Sequence, residues 1–318
     1  MSIDLITLGE IMLRYAAAGG EVLEQATRFD VRPAGAESNV VICGKRIGLN
    51  TGYISRLPNH ALGRMAEHAI SIHGVDTSRI IWADASERVG TYYIDLGVPP
   101  RPPNVIYDRA GSAVTRLTVD MVDWDYVAQA RIFHATGITL ALSDSLRDVI
   151  RRGLTIAREA GNTTSFDTNY RAKLWSPDEA YKTIAPLLPQ IDILRMGLEE
   201  AHVVFKVTGT AQEVAKHLFE TYTPKVVILS NEGNDVVAYD GQQYYTRTPY
   251  NVQIVDPIGA GDAFTAGFLT GYLEDGIERG MDMAMALGSL TLTYVGDVPW
   301  CTRADVERLI EQKHIPYR

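Results

Sequence analysis

Asp256-Pro257-Ile258-Gly259-Ala260-Gly261-Asp262 sets two glycines, an alanine and a carboxylate where a loop becomes a helix. An alternating segment, Tyr250 to Val255, precedes it and reads as extended chain; an amphipathic run, Ala263 to Tyr272, follows. The first N–H groups of a helix have no partner within it, and the helix dipole favours negative charge there. Small side chains let a phosphate approach the amides of Gly259, Ala260 and Gly261 closely. Asp262 then stands beside an anion site. Such a pairing makes sense where the carboxylate handles a proton and the amides hold charge developing on a phosphoryl group. A Gly-rich turn with Asp in the first helical turn is also ordinary helix punctuation, so the string needs support from elsewhere.

Support comes from Pro33-Ala34-Gly35-Ala36-Glu37-Ser38-Asn39-Val40, a second small-residue turn leading to a helix start. Gly35 and Ala36 admit a ligand close to the backbone, and Asn39 offers a donor and an acceptor to a sugar hydroxyl. Alone, Gly35 reads as a turn and Asn39 as a cap. Together the two strings resemble the signatures of the ribokinase (PfkB) family of sugar kinases. Asp256, Gly259, Ala260, Gly261, Asp262, Gly267 and Phe268 fit its C-terminal signature, and the second string with Gly48 and Gly63 fits its N-terminal one. The resemblance implies that Gly259, Ala260 and Gly261 form an anion hole and that Asp262 is the catalytic base. It implies nucleotide contacts from Gly259 and Gly261, and a loop-fixing role for Asp256 that extends to holding a monovalent cation such as K+.

Asp167-Thr168-Asn169-Tyr170-Arg171-Ala172-Lys173-Leu174-Trp175 follows the end of an expected strand, where open α/β sheets bind ligands. It resembles the Asp-x-Asn-x-Arg-x-x-Leu-Trp motif of 2-keto-3-deoxygluconate kinases, a motif that fructokinases carry in a related form. Gly9-Glu10, Gly90-Thr91-Tyr92, Tyr107-Asp108-Arg109 and His134 to Thr139 extend the similarity over nearly the whole chain. The implied contacts to a sugar acid are Gly35, Asn39, Tyr92, Tyr107, Arg109, Ile138, Arg171 and Asp297. A guanidinium is a planar, permanently charged partner for a carboxylate, and tyrosine joins an apolar ring to a hydroxyl. Taken singly, the arginines equally suit surface ion pairs, the tyrosines core packing, and Asp297 a turn.

On the nucleotide side the resemblance implies Asn169, Ser230, Asn231, Gly233 and Asn234, with Mg2+ held through water near Glu200. Three departures stand out. The family's Asn-x-x-Glu is Gly197-Leu198-Glu199-Glu200 here, the loop Ser230 to Asp235 carries acids at Glu232 and Asp235, and His60 stands where Asp is common. No Walker sequence is present. The implied activity is transfer of the ATP γ-phosphoryl group to a primary hydroxyl of a sugar acid, 2-keto-3-deoxygluconate to its 6-phosphate. A fructokinase or another sugar kinase of the family is the alternative within the class. A nucleotide- or sugar-binding protein without catalysis is the alternative outside it. A dinucleotide oxidoreductase ranks lower, because Gly9 leads into Glu10-Ile11-Met12 instead of a GxGxxG turn.

These residues need a scaffold. The chain has 318 residues, 46% hydrophobic and 22% charged, which is ordinary for a soluble globular protein. A net charge of −9 disfavours nonspecific nucleic-acid binding. No apolar run approaches membrane-span length, and the N-terminus lacks a secretory pattern, so a cytoplasmic enzyme is expected. Cys43 and Cys301 show no metal-ligand spacing. From Val119 onward strands and helices alternate, which predicts a mostly parallel sheet with helices on both faces. Ser176-Pro177-Asp178-Glu179 and Thr210 with Glu213 read as capping boxes. Two strand-rich excursions, about 11–35 and 88–112, interrupt the rhythm and predict a small sheet acting as a lid on one domain spanning 1–318. The proline-rich stretch 97–103 suits a hairpin or sheet edge. Exposed lid strands would invite self-pairing into a homo-oligomer.

Overall fold

Strands buried on both faces build the main sheet. The structure is a computed structural model describing residues 3–97, 100–231, 233 and 235–311. The elements run β1 (Ile3–Leu8), β2 (Met12–Ala17), β3 (Phe29–Ala34), α1 (Ala36–Arg46), β4 (Thr51–Pro58), α2 (Ala61–Ser71), β5 (Ile80–Ala83), β6 (Thr91–Asp95) and β7 (Asn104–Asp108). Then come α3 (Trp124–Ala128), β8 (Ala130–Thr136), α4 (Gly137–Leu142), α5 (Asp144–Glu159), β9 (Thr163–Asp167), α6 (Pro177–Ile184), β10 (Ile193–Gly197) and α7 (Leu198–Phe205). The chain continues through α8 (Ala211–Tyr222), β11 (Val226–Ser230), β12 (Val236–Tyr239), β13 (Tyr244–Arg247), α9 (Ala260–Thr291) and α10 (Arg303–Glu311).

The main sheet has the order β13-β12-β11-β10-β9-β8-β1-β4-β5. It is parallel from β11 to β5; β12 alone runs against the rest, so its pairings with β11 and β13 are antiparallel. Residues such as Leu5, Ile132 and Ile193 pack under α1 and α9, while Ile6, Phe133 and Leu194 pack under α5, α6 and α8. Helices therefore cover both faces, as the alternation predicts. A second sheet, β3-β2-β6-β7, draws its strands from the two excursions. Its Met12, Ala34, Tyr92 and Ile94 form a small apolar cluster with Ile258 against it, so this sheet touches the loop before α9.

Both capping boxes form: Ser176 with Glu179 starts α6, and Thr210 with Glu213 starts α8. The extended segment before the glycine turn joins neither sheet. Tyr250–Val255 alternates like a strand but pairs with none. β13 already closes the sheet edge, and Val255 N and Asp256 N both donate to the Leu292 carbonyl instead, at 2.8 and 3.3 Å. Ile254 and Val255 stay in solvent, at 60% and 46% exposed, while Tyr250 packs against the core. The helix after Asp262 runs past Tyr272 to Thr291, with a break at Asp275 and Gly276 that folds its two halves together. Gly267 permits this, since a Cβ there would lie 2.6 Å from the Met283 carbonyl. No helix among the described residues is long and apolar enough to cross a membrane.

Ser176→Ala removes the acceptor that receives the Glu179 amide at 3.3 Å. We expect a loss of about 1 kcal/mol in urea unfolding with turnover unchanged.

Candidate active site

Parallel strands present their C-terminal ends along one edge, and the functional residues gather there. In register, Thr136 of β8 faces Asp167 of β9, Asp167 faces Arg195 of β10, and Gly197 of β10 faces Ser230 of β11. α1 and α9 pack on each other and bring their first turns together at the same edge.

Gly259 caps α9 in the left-handed region, φ 84°. A Cβ there would stand 1.9 Å from the Asp297 carbonyl, so both conformation and space require glycine. The turn is held from below by Asp256, which is fully buried. Its Oδ1 accepts from Ile258 N at 3.1 Å and its Oδ2 from Gly296 N at 3.0 Å. As the first N–H groups of α9, the amides at the helix start have no partner within the helix.

Asp262 lies half-buried in the first turn. Asn39 donates from Nδ2 to its Oδ2 at 2.7 Å. Burial pushes the Asp262 carboxyl up to about 7; Asn39 opposes the rise, the charge of Asp167 adds to it, and Arg171 opposes it. A carboxylate titrating there is suited to take a proton from an alcohol near neutrality.

Two arginines missed in the sequence complete the centre. Arg195 pairs with Asp167, stacks 5.3 Å from the Phe264 ring centroid, and lies about 3.3 Å from where a Cβ on Gly261 would be. Its Nε is buried without a partner among the described residues. Burial works against its charge, and Asp167 and Glu200 hold its pKa above the ordinary value. Arg14 of β2 bonds Asp256 Oδ2 and Asp297 Oδ1, each at 2.6 Å. Each interrupts an apolar strand string, Ile193-Leu194-Arg195-Met196 and Met12-Leu13-Arg14-Tyr15. A charge inside a buried strand was the available signal.

The implied acceptor residues divide. Tyr107, Arg109 and Arg171 line one cleft of about 270 Å³ with Val105, Ala172, Lys173 and Leu174. Tyr92 lies tilted against Tyr107 with ring centroids 5.6 Å apart and donates to Asp297 Oδ2 at 3.3 Å. Ile138 sits half-buried in the first turn of α4. Asp297 is already engaged by Arg14, so its carboxylate is less a sugar contact than a partner of that guanidinium; burial raises its pKa and Arg14 works against the rise. Arg109 is buried and bonded through Nε and Nη2 to Glu10, which neutralises it in place. Arg171 and Lys173 are the exposed cations of the cleft. Asn39 spends its donor on Asp262, and its buried Oδ1 has no partner among the described residues. Gly35 leaves room for the Glu10 carbonyl, 2.1 Å from where its Cβ would be, so its space is filled from within the fold.

On the expected nucleotide side, Asn169 is buried with φ 40° and its amide bonds Asp167 Oδ1 at 3.1 Å. Ser230, Asn231 and Gly233 follow the end of β11; Asn234 and Glu232 lie outside the described residues. Glu200 accepts from Thr168 Oγ1. Burial and the charge of Asp167 raise its pKa, which leaves it receptive to a cation. Asp256 is different. Its carboxylate is engaged by Arg14 and two amides, so the positive charge beside it in this structure is a guanidinium. His60 caps α2, its Nδ1 accepting from Gly63 N at 3.3 Å, which is the work an Asp there would do.

A carboxylate poised near neutrality beside a glycine-built helix start, at the ligand edge of an open α/β sheet, defines a phosphoryl-transferring enzyme. Residues 2–303 match the pfkB family carbohydrate kinases, and the chain belongs to that family. It is 37% identical to the 2-dehydro-3-deoxygalactonokinase of Haloferax volcanii, over 98% of this chain and 97% of that one. It is 32% identical to the 2-dehydro-3-deoxygluconokinase of Bacillus subtilis, over 94% and 92%. The crystal structure of 2-dehydro-3-deoxygluconokinase from Thermotoga maritima superposes with a TM-score of 0.92 at 30% identity, covering 97% of this chain and 99% of that one.

Four outcomes test the centre. A base at Asp262 acts only when ionised, so in that role kcat/KM should fall as pH drops through about 7. Asp262→Asn should lower kcat by about 10²–10⁴-fold. A carboxyl whose pKa is higher folded than unfolded adds stability at low pH and loses it as pH rises through the folded value. Asp262→Asn should therefore melt higher than the parent at pH 8, with a gain that shrinks as pH falls below the folded value of about 7 and disappears below the unfolded carboxylate range of about 4. Gly259→Ala should cost about 10²–10³-fold in kcat, the size of a lost oxyanion donor, in a protein that circular dichroism reports as folded.

Proposed function

We propose that the enzyme transfers the γ-phosphoryl group of ATP to the primary hydroxyl of a 2-keto-3-deoxy sugar acid, 2-keto-3-deoxygluconate being the first candidate, to give the 6-phosphate. One observation carries the substrate class. Among the described residues, the cleft beside the base is lined by the exposed cations Arg171 and Lys173 and by no carboxylate, while Arg109 in its wall is already paired with Glu10. In a chain of net charge −9 such a concentration of cations calls for an anionic acceptor. Arg171 also acts on Asp262 through its charge, which ties this cleft to the catalytic carboxylate.

In this reading the acceptor carboxylate meets Arg171 and Lys173, and Tyr92 and Tyr107 flank the sugar. The unpartnered Oδ1 of Asn39 orients the hydroxyl, and Asp262 takes its proton as the oxygen attacks phosphorus. The amides of Gly259, Ala260 and Gly261 hold the migrating phosphoryl group, with Arg195 alongside. Nucleotide contacts come from Asn169, Ser230, Asn231 and Gly233. Mg2+ accompanies the nucleotide, held mostly by phosphate and water, with Glu200 as the protein group nearest in character; it neutralises charge on the phosphates. Catalysis is mainly positioning plus electrostatics. The smaller sheet closes the cleft as a lid and keeps water from competing for the phosphoryl group. A homo-oligomer is part of the proposal. Tyr15, Phe29 and Tyr93 cluster on the face of the smaller sheet opposite Tyr92 and stay partly exposed, with Tyr15 and Tyr93 stacked at 5.2 Å.

A coupled assay of ATP consumption across 2-keto-3-deoxygluconate, its galactonate epimer, aldonates, fructose and other free hexoses decides the reading. Keto-deoxy acids should be turned over best. Arg171→Ala should cut kcat/KM for the acids by about tenfold or more, the worth of a charge-assisted contact, and leave neutral hexoses nearly unchanged. Preference for fructose, or equal losses on acids and hexoses, removes the carboxylate clamp. Binding of ATP without product on any acceptor indicates a protein that has lost catalysis.

A further inference from the structure

We propose that Arg14 is a positioning residue for phosphoryl transfer: from the smaller sheet, its buried guanidinium clamps together the two chain segments that form the catalytic turn. The residue is 1% exposed and makes one 2.6 Å bond to Asp256 and another to Asp297. Those acids belong to different segments. Asp256 precedes the anion turn and fixes it through the amide of Ile258. Asp297 follows α9, and its carbonyl packs on Gly259 at the point where a side chain would stand. Asp256 also receives the amide of Gly296, so the two segments meet at this pair of carboxylates.

Without a cation between them, two buried carboxylates repel, and one has to take up a proton. Burial disfavours the charge on Arg14, yet Asp297, Tyr92 and Asp256 outweigh that and hold it above its ordinary pKa. The guanidinium is planar and forked, so it meets both acids at once, which an ammonium group does poorly. Tyr92, opposite Arg14 in register on β6, donates to Asp297, and Ile258 packs on the same face of the smaller sheet. The position of the smaller sheet and the shape of the anion hole are thus set by one group. Arg14 need not touch either substrate. Its effect passes through Asp256, Asp297 and Gly259 to the amides that hold the phosphoryl group.

The inference rests on the anion-hole and Asp262 reading, and is indifferent to which sugar acid is the acceptor. It is tested with full-length Arg14→Ala, Mg2+–ATP and the best acceptor of the wild-type enzyme. The variant should fold by circular dichroism and lose about 100-fold in kcat, the scale of a small misplacement of reacting groups, with both KM values changed little. Millimolar guanidinium chloride should recover a substantial part of the loss by filling the vacated site, and should not activate the wild type. A folded variant with near-wild-type kcat overturns the proposal. So does a loss carried by KM, or one that guanidinium does not relieve. Should Arg14→Ala fail to fold, Arg14→Lys decides, because it keeps the charge but not the fork: lowered kcat at unchanged KM supports the clamp, and full kcat overturns it. A wild-type enzyme inactive on every acceptor would instead defeat the kinase reading itself.

Discussion

Five carboxylates crowd the edge of a sheet that has to receive a polyphosphate. Asp256 and Asp297 lie under the anion turn, Asp167 and Glu200 beside it, and Asp262 at its mouth. At the effective dielectric of a protein site, two like charges about 4 Å apart repel by roughly 4 kcal/mol. Such a site is tolerable only with cations built in, and the chain supplies two guanidiniums from strands of different sheets. Arg14 balances the pair below the turn, and Arg195 balances Asp167 beside it. Arginine suits both places because its charge survives burial and its fork satisfies carboxylates by direct hydrogen bonds. Once those positions are taken, Glu200 and Asp262 have no ion-pair partner among the described residues, and it is Asp262 that stands at the mouth. Its carboxyl rises toward neutrality, and the same crowding that threatens the fold leaves a group suited to the base role proposed for it.

That base is costly to the folded state. A half-buried carboxylate with one hydrogen bond from Asn39 is held in a form that water would stabilise better. The surrounding architecture absorbs the cost through two large apolar layers, one on each face of the main sheet. Loop geometry is set by backbone economy as well. Gly259 and Gly35 each leave a gap that a neighbouring carbonyl fills, so the two helix starts sit close against the chain that positions them. The acceptor cleft is assembled across both sheets. Tyr107 and Arg109 come from the smaller one, Arg171 and Lys173 from the loop after β9, and Lys173 donates to the Val105 carbonyl at 2.6 Å. Movement of the smaller sheet would open the cleft and break that bond together.

Local patterns made much of this readable. The strand and helix alternation, both capping boxes and the glycine turn before Asp262 are short-range features, and each appears where the sequence indicates. Pairings across long stretches of chain were not readable. Arg14 meets partners 242 and 283 residues away, and nothing near it announces them. The same is true of Arg109, whose charge is absorbed by Glu10 across 99 residues, so a residue that looked free to bind substrate is already committed. Tyr250–Val255 shows the opposite limit: its alternation suits a strand, but β13 is already the sheet edge, and the segment runs to a helix end instead. His60 departs from the family pattern in type but not in function, because an imidazole nitrogen caps α2.

The central claim is a spatial one, that an alcohol, a carboxylate and a phosphate-holding turn converge on one point. A crystal structure with a non-hydrolysable ATP analogue, Mg2+ and 2-keto-3-deoxygluconate tests it most directly. The account predicts the acceptor's primary hydroxyl about 2.6–3.2 Å from an Asp262 oxygen, with the terminal phosphate on the amides of Gly259, Ala260 and Gly261. An acceptor bound with that hydroxyl turned away from Asp262, or a terminal phosphate seated elsewhere in a closed complex, would contradict it.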